Sequence, residues 1–106
     1  MGPLRGEVWD AHVREAGTHP FVILTVNPMI VRLGAVTAAL VTGTMGPQYT
    51  QIPLGAEAGL TEYAESYANV TDLHTIPKPR LHRRRGRLAG PEMASLERAI
   101  RTYLGL

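Results

Sequence analysis

No cysteine occurs among the 106 residues, which excludes a disulfide scaffold, a zinc finger and a thiol nucleophile together. Serine is almost as scarce: Ser66 and Ser95 are the only two, and neither lies in a Gly-x-Ser-x-Gly turn. There is no phosphate-binding glycine loop, and His12, His19, His74 and His82 lack the spacing of a metal-ligand set. No uncharged apolar run reaches 18 residues. The longest, Phe21 to Val31, is interrupted by Asn27 and Pro28 and falls short of a membrane span. Met1 to Trp9 lacks the apolar centre of a signal peptide, so the expected location is the cytoplasm. An enzyme with these absences works without a metal, a cofactor or a covalent serine. Acid–base and electrostatic catalysis remain.

What is present suits one domain over residues 1–106, with 44% hydrophobic and 19% charged residues. The net charge of +2 conceals an uneven distribution. Residues 1–72 carry three basic and seven acidic side chains, and residues 73–106 carry eight basic and two acidic. Lys78, Arg80, Arg83, Arg84, Arg85 and Arg87 crowd into ten positions with no acid among them. Such a strip raises the expectation of a polyanionic partner.

Short apolar and β-branched runs separated by turn residues recur along the chain. Gly6 to Val13 reads as a first strand, and Arg14 to Pro20 as a turn-rich connector. Phe21 to Val26, nearly all apolar, fits a strand buried on both faces. Gly34 to Thr42 is a third strand ending in the turn residues Gly43 to Pro47. Tyr49 to Leu54 and Glu65 to Thr71 read as a fourth and fifth, and Gly55 to Leu60 as a loop between them. Pro77 and Pro79 precede a sixth around Arg84 to Leu88. Gly90-Pro91 then opens a helix with Pro at its first position and Glu92 in its first turn. Met93, Leu96, Ile100 and Tyr103 or Leu104 recur at helical spacing, Glu97 and Arg101 form an i,i+4 pair, and Gly105 supplies the stop. The expected architecture is mainly β: a small barrel or curved sheet capped by one C-terminal helix.

The candidates for chemistry are few. His19, at the junction of loop and strand before Pro20, is placed for proton transfer near neutral pH. Thr42 ends a buried strand, from which its hydroxyl can reach a phosphate oxygen, and Thr44 follows closely. The commoner roles of such residues are a surface histidine and a β-branched strand residue. His74 precedes the basic strip and either contacts RNA or closes a turn. The strip itself suits phosphate contacts, although in a strand about half of its arginines can face one partner. Tyr49, Tyr63 and Tyr67 suit base stacking or core packing equally.

Taken in order, these segments resemble the MazF/PemK family of bacterial toxin endoribonucleases. Arg5-Gly6-Glu7-Val8-Trp9 is similar to the family's opening strand. His19-Pro20-Phe21-Val22-Ile23-Leu24 matches its second strand, which typically starts Arg-Pro. Ala39-Leu40-Val41-Thr42-Gly43 matches the end of its third. Thr71 to Leu81, and Gly86-Arg87-Leu88 onward to Leu104-Gly105-Leu106, resemble its last strands and helix. The likeness runs nearly end to end.

The resemblance implies an SH3-like barrel of about six short strands with a C-terminal helix, normally a homodimer. It implies sequence-specific cleavage of single-stranded RNA without a metal, in which the 2′-hydroxyl attacks the adjacent phosphate and leaves a 2′,3′-cyclic phosphate. It also implies a cognate antitoxin with an acidic tail. On this basis His19 and Thr42 are the expected catalytic pair, and Thr44, Asn69, Thr71, His74, Arg84 and Arg85 the expected RNA-binding residues. The chain departs from the family in several places, among them Thr71, which replaces an acidic residue, and the stretch around Asn69 and Thr71, where some members use an Arg and an Asp and this chain has neither. His19 replaces an arginine that is often catalytic, His74 replaces a second arginine, and the Arg14 to Thr18 loop is shorter than usual. His19 is then either the proton-transfer group, with an arginine elsewhere stabilising the phosphorane, or the mark of a weakened site. Two rivals share the fold. A gyrase poison would need a tryptophan-containing tail that this chain lacks, and a silent RNA- or protein-binding module would bind RNA without cutting it.

Overall fold

The computed structural model describes residues 2–14, 17–47, 49–60 and 65–106. Tyr63 therefore lies outside the described residues. Six antiparallel strands form one sheet: β1 (Glu7–Val13), β2 (Gly17–Ile23), β3 (Ala35–Thr42), β4 (Gln51–Leu54), β5 (Ser66–Pro77) and β6 (Leu81–Arg87). Their spatial order is β4-β5-β3-β2-β1-β6. Among the described residues two α-helices, α1 (Asn27–Arg32) and α2 (Gly90–Leu104), accompany the sheet. The expected mainly β architecture with a C-terminal helix is correct. The sheet does not close by a strand ladder: β4 and β6 are its edges, α2 packs along β4 and β5, and a 3-10 turn at Ala56–Ala58 meets β6.

Alternation along the strands sorts their side chains onto two faces. On one, Val8, Val22, Ala39, Val41, Ala68 and Val70 pack with Leu88 under α2, whose Leu96 is fully buried. On the other, Ala11, Phe21, Ile23, Val36, Ala38 and Ile76 form a second core with Ile30 of α1. A sheet buried on both faces explains the near-continuous apolar runs of β2 and β3.

Several boundaries differ from expectation for identifiable reasons. The second strand starts at Gly17, whose φ of +82° closes the turn from β1 and brings His19 and Pro20 into the ladder. Leu24 to Val26 are correspondingly outside β2. Asn27 and Pro28, expected only to break a strand, begin α1, because proline's fixed φ suits the first helical turn. The fifth strand continues to Pro77, six residues beyond Thr71, and the sixth begins at Leu81, after a 3-10 turn at Lys78–Arg80. In α2, Glu92 accepts hydrogen bonds from Ala89 N (2.8 Å) and Gly55 N (2.5 Å), tying the helix start to the end of β4. Glu97 accepts from Arg5 at 2.8 Å, so its recorded partner lies across the fold rather than at Arg101.

Two glycines meet where β6 crosses the 3-10 turn. Gly59 adopts a φ of +74°, and a Cβ there would lie 1.9 Å from the Arg85 carbonyl oxygen. A Cβ on Gly86 would lie 2.1 Å from the Glu57 carbonyl oxygen. Both contacts are with backbone, which cannot rotate away. Gly86→Ala is expected to cost more than about 3 kcal/mol, well above an ordinary surface change, read as a fall in the urea midpoint of unfolding. An unchanged midpoint would show that β6 and the turn can separate without loss.

Candidate active site

The ladder between β2 and β3 begins at Phe21 opposite Leu40. Pro20, just before it, has no N–H to continue the ladder. Carried past Pro20, the same register sets His19 opposite Thr42. His19 also pairs with Ala11 of β1. It therefore stands within a strand held from one side, not at the loop-to-strand junction expected. Its parity with Phe21 and Ile23 places it on the α1 face of the sheet, and Thr42 shares that face with Ala38 and Leu40. The expected pair thus falls on one face, where the hydrogen-bonded ladder has ended.

Thr42 Oγ1 accepts a hydrogen bond from Thr44 N at 3.2 Å, and Thr44 is exposed at the following turn. Across the sheet Thr42 pairs with Tyr67, whose hydroxyl donates to Glu65. That hydrogen bond raises the Tyr67 pKa and keeps the phenol neutral beside Thr42. Asn69 and Thr71 lie on β5, where Asn69 Oδ1 accepts from both Thr71 N (3.1 Å) and Thr71 Oγ1 (2.8 Å). His74 pairs with Ala38 of β3, and its ring meets Phe21 edge-on at 5.3 Å between centroids. Its Nε2 is 2.5 Å from Asp72 Oδ1.

His74 also lines a cleft of about 170 Å³ with His12, Arg14 and Arg80 around the apolar floor of Ile76. Composition did not single out Asp72, Arg14 or His12 as members of a site. The signal for Arg80 lay in the basic strip, Asp72 is a near neighbour of His74 on β5, and His12 and Arg14 meet His74 through non-local folding.

The two arginines expected as phosphate contacts are placed elsewhere. Arg85 is nearly buried, its guanidinium directed at both oxygens of Asp10 (3.2 and 3.1 Å) and at the Gly59 carbonyl (3.4 Å). A guanidinium held by the Asp10 carboxylate braces β6 to β1. Arg84 stands opposite Trp9, toward the end of β1 away from Ala11 and His19, and donates to Glu7 at 2.7 Å.

A curved antiparallel sheet with a polar row on one face and a cationic cleft beside it defines a small β fold suited to a polyanionic ligand. Residues 4–104 match the family model described as PemK-like, MazF-like toxin of type II toxin–antitoxin system. The chain is 28% identical over 101 residues to a probable endoribonuclease MazF2 of Mycobacterium tuberculosis (strain CDC 1551 / Oshkosh), covering 95% of this chain and 97% of that protein. It superimposes on a mycobacterial endoribonuclease solved with its cognate antitoxin, with a TM-score of 0.88, 28% identity, and 98% and 96% of the two chains covered. The M. tuberculosis toxin MazF-mt6 gives a TM-score of 0.84 at 28% identity, over 94% and 97% of the chains. The chain belongs to this PemK-like, MazF-like family of endoribonuclease toxins.

Near the site's far end, burial alone would raise the Glu7 pKa. Hydrogen bonds from Trp9 Nε1, Arg84 Nε and Leu4 N, with the charge of Arg84, outweigh it and hold Glu7 below its ordinary value. A depressed carboxylate contributes stability above its unfolded pKa, and that stability is lost as the pH falls through the folded one. Glu7→Gln is expected to cost about 1 kcal/mol at pH 7, limited by the exposure of Arg84, with the difference shrinking below pH 4. Thermal melts of both proteins across pH 3–7 check it. A gap that widens on acidification contradicts the assigned charge state.

Proposed function

We propose that this toxin cuts single-stranded RNA at short recognition sequences without a metal, with His19 and Thr42 at the reacting phosphate. The substrate's 2′-oxygen attacks the adjacent phosphorus as a base removes its proton. The bond from phosphorus to the 5′-oxygen then breaks as that oxygen is protonated, leaving a 2′,3′-cyclic phosphate and a 5′-hydroxyl. The observation that supports this reading most is the β2–β3 register from Phe21 to Ile23, whose continuation past Pro20 runs His19 toward Thr42 on one face. The imidazole exchanges the proton, and the Thr42 hydroxyl donates to a phosphate oxygen. Thr44, Asn69, Thr71 and His74 border the RNA path, and splayed single-stranded bases suit an exposed, uneven rim of this kind.

The partners follow the family. A cognate antitoxin with an acidic segment covers the cationic cleft, the toxin acts as a homodimer, and the setting is the cytoplasm. Incubating the pure chain with mixed-sequence RNA in EDTA tests the chemistry. The expected outcome is cleavage with 5′-hydroxyl ends, reduced about 10²- to 10⁴-fold in His19→Ala and less in Thr42→Val. No cleavage by the wild type, or equal rates for wild type and His19→Ala, rejects the mechanism.

A further inference from the structure

We propose that the cleft bounded by His12, Arg14, His74 and Arg80 is a subsite for a phosphate of the RNA strand other than the one cut. It sets how tightly the strand is held and leaves the chemistry to His19 and Thr42. The inference rests on the ribonuclease reading above and deepens it by naming where a second part of the substrate binds.

The lining comes first. Arg14 enters from the β1–β2 turn and Arg80 from the 3-10 turn before β6, while His12 and His74 come from β1 and β5. Among the described residues no acid lines the cleft. The carboxylate of Asp72 beside it is taken up by His74 Nε2 at 2.5 Å. Next is what the two arginines lack. Arg5, Arg83, Arg84 and Arg85 are each matched to a carboxylate within the fold. Arg14 and Arg80 are exposed and, among the described residues, make no ion pair. Two guanidiniums brought to one cleft without an internal anion draw one from outside, and their forked donors match phosphate oxygens.

Size and place complete the case. At about 170 Å³ the cleft is smaller than the roughly 300–1,000 Å³ of a pocket for a whole small molecule. It takes one anionic group and excludes a nucleoside. Neither His19 nor Thr42 lines it. His74 pairs with Ala38, which pairs with Ile23, so His74 stands two strands across and four residues along from His19. Measured along the sheet, that is about 10 Å and about 13 Å. The cleft therefore serves a different phosphate from the one that His19 meets. Single-stranded RNA carries a phosphate at every nucleotide, and contacts of this kind position a strand without reading its sequence.

The test uses the full chain, a double variant Arg14→Gln with Arg80→Gln, and a charge-matched control, Arg98→Gln with Arg101→Gln, at two exposed positions of α2. Thermal melts establish that both variants fold. Binding is titrated over a salt series with a short mixed-sequence RNA whose 2′-oxygens are all methylated, so that it cannot be cut. The cleft variant is expected to bind about tenfold more weakly, with a salt slope shallower by about 0.7, the value of one phosphate contact on a single strand. The control is expected to match the wild type. Equal weakening in both variants reduces the effect to net charge and overturns the subsite, as does unchanged binding in the cleft variant. On a cleavable RNA the cleft variant is expected to show KM raised about tenfold and kcat within about twofold of wild type. A fall in kcat with KM unchanged places the arginines at the reacting phosphate instead. One uncharged methylphosphonate linkage, moved along that RNA, is expected to weaken the wild type at a single non-scissile position and to leave the cleft variant unaffected there. Loss of binding to a polyglutamate peptide with RNA binding intact assigns the cleft to an acidic protein segment and rejects the proposal. A wild type that binds the methylated RNA but cuts no RNA defeats the ribonuclease reading, while the binding titration still decides the subsite.

Discussion

A register shift in the longest strand organises both the core and the site. Ala39 pairs with Leu73 and Val41 with Ala68, so four residues of β5, Asn69 to Asp72, stand where β3 offers only Leu40. An excess of this kind bends the strand and changes which side chains face which way. On one side of the shift, Ala68 and Val70 enter the core beneath α2. On the other, His74 and Ile76 face the opposite core, although all four residues have even numbers. Without the shift, strict alternation would put Val70 and His74 on one face, and either an apolar side chain or the histidine would be misplaced. The bent segment also carries β4, which pairs with Ser66 to Asn69 and receives α2. Helix docking and site geometry thus depend on the same four residues.

That dependence explains what was legible in the sequence. Elements defined by local pattern were readable: the amphipathic spacing of α2, the start after Gly90-Pro91, and the β-branched runs of β2 and β3. The core of β1 was equally plain. Helix α1 was not, because Asn27-Pro28 is as good a helix opening as a strand ending, and only burial of Ile30 against the second core decides. The shift in β5 was invisible, since it is a property of pairing with β3 and not of the segment ESYANVTDLHTIP. His19 and Thr42 were identified through the family likeness and share a sheet face, but the Asp72 contact of His74 needed the fold. The pair stands two residues apart on one strand, and the ring of His74 meets Phe21 edge-on.

The charge asymmetry also changes meaning once the strands are paired. Acidic β1 lies directly beside basic β6, and their charges neutralise each other across the ladder. Arg84 engages Glu7, and Arg83 and Arg85 both approach Asp10. A strip that suggested a polyanion-binding surface is therefore in good part a strand-pairing code, with Arg85 Nη1, donating to both oxygens of Asp10, fixing β6 in place. What remains for a polyanion is smaller and better placed. Arg80 leaves the strip at the 3-10 turn before β6, and with Arg14 from the β1–β2 turn it flanks the cleft beside His74. Cations kept outside the ladder stand next to the imidazole, whereas the more numerous ones within it serve the fold. Counting arginines overstated the surface, and the fold leaves Arg14 and Arg80 as the two that line the cleft beside His74.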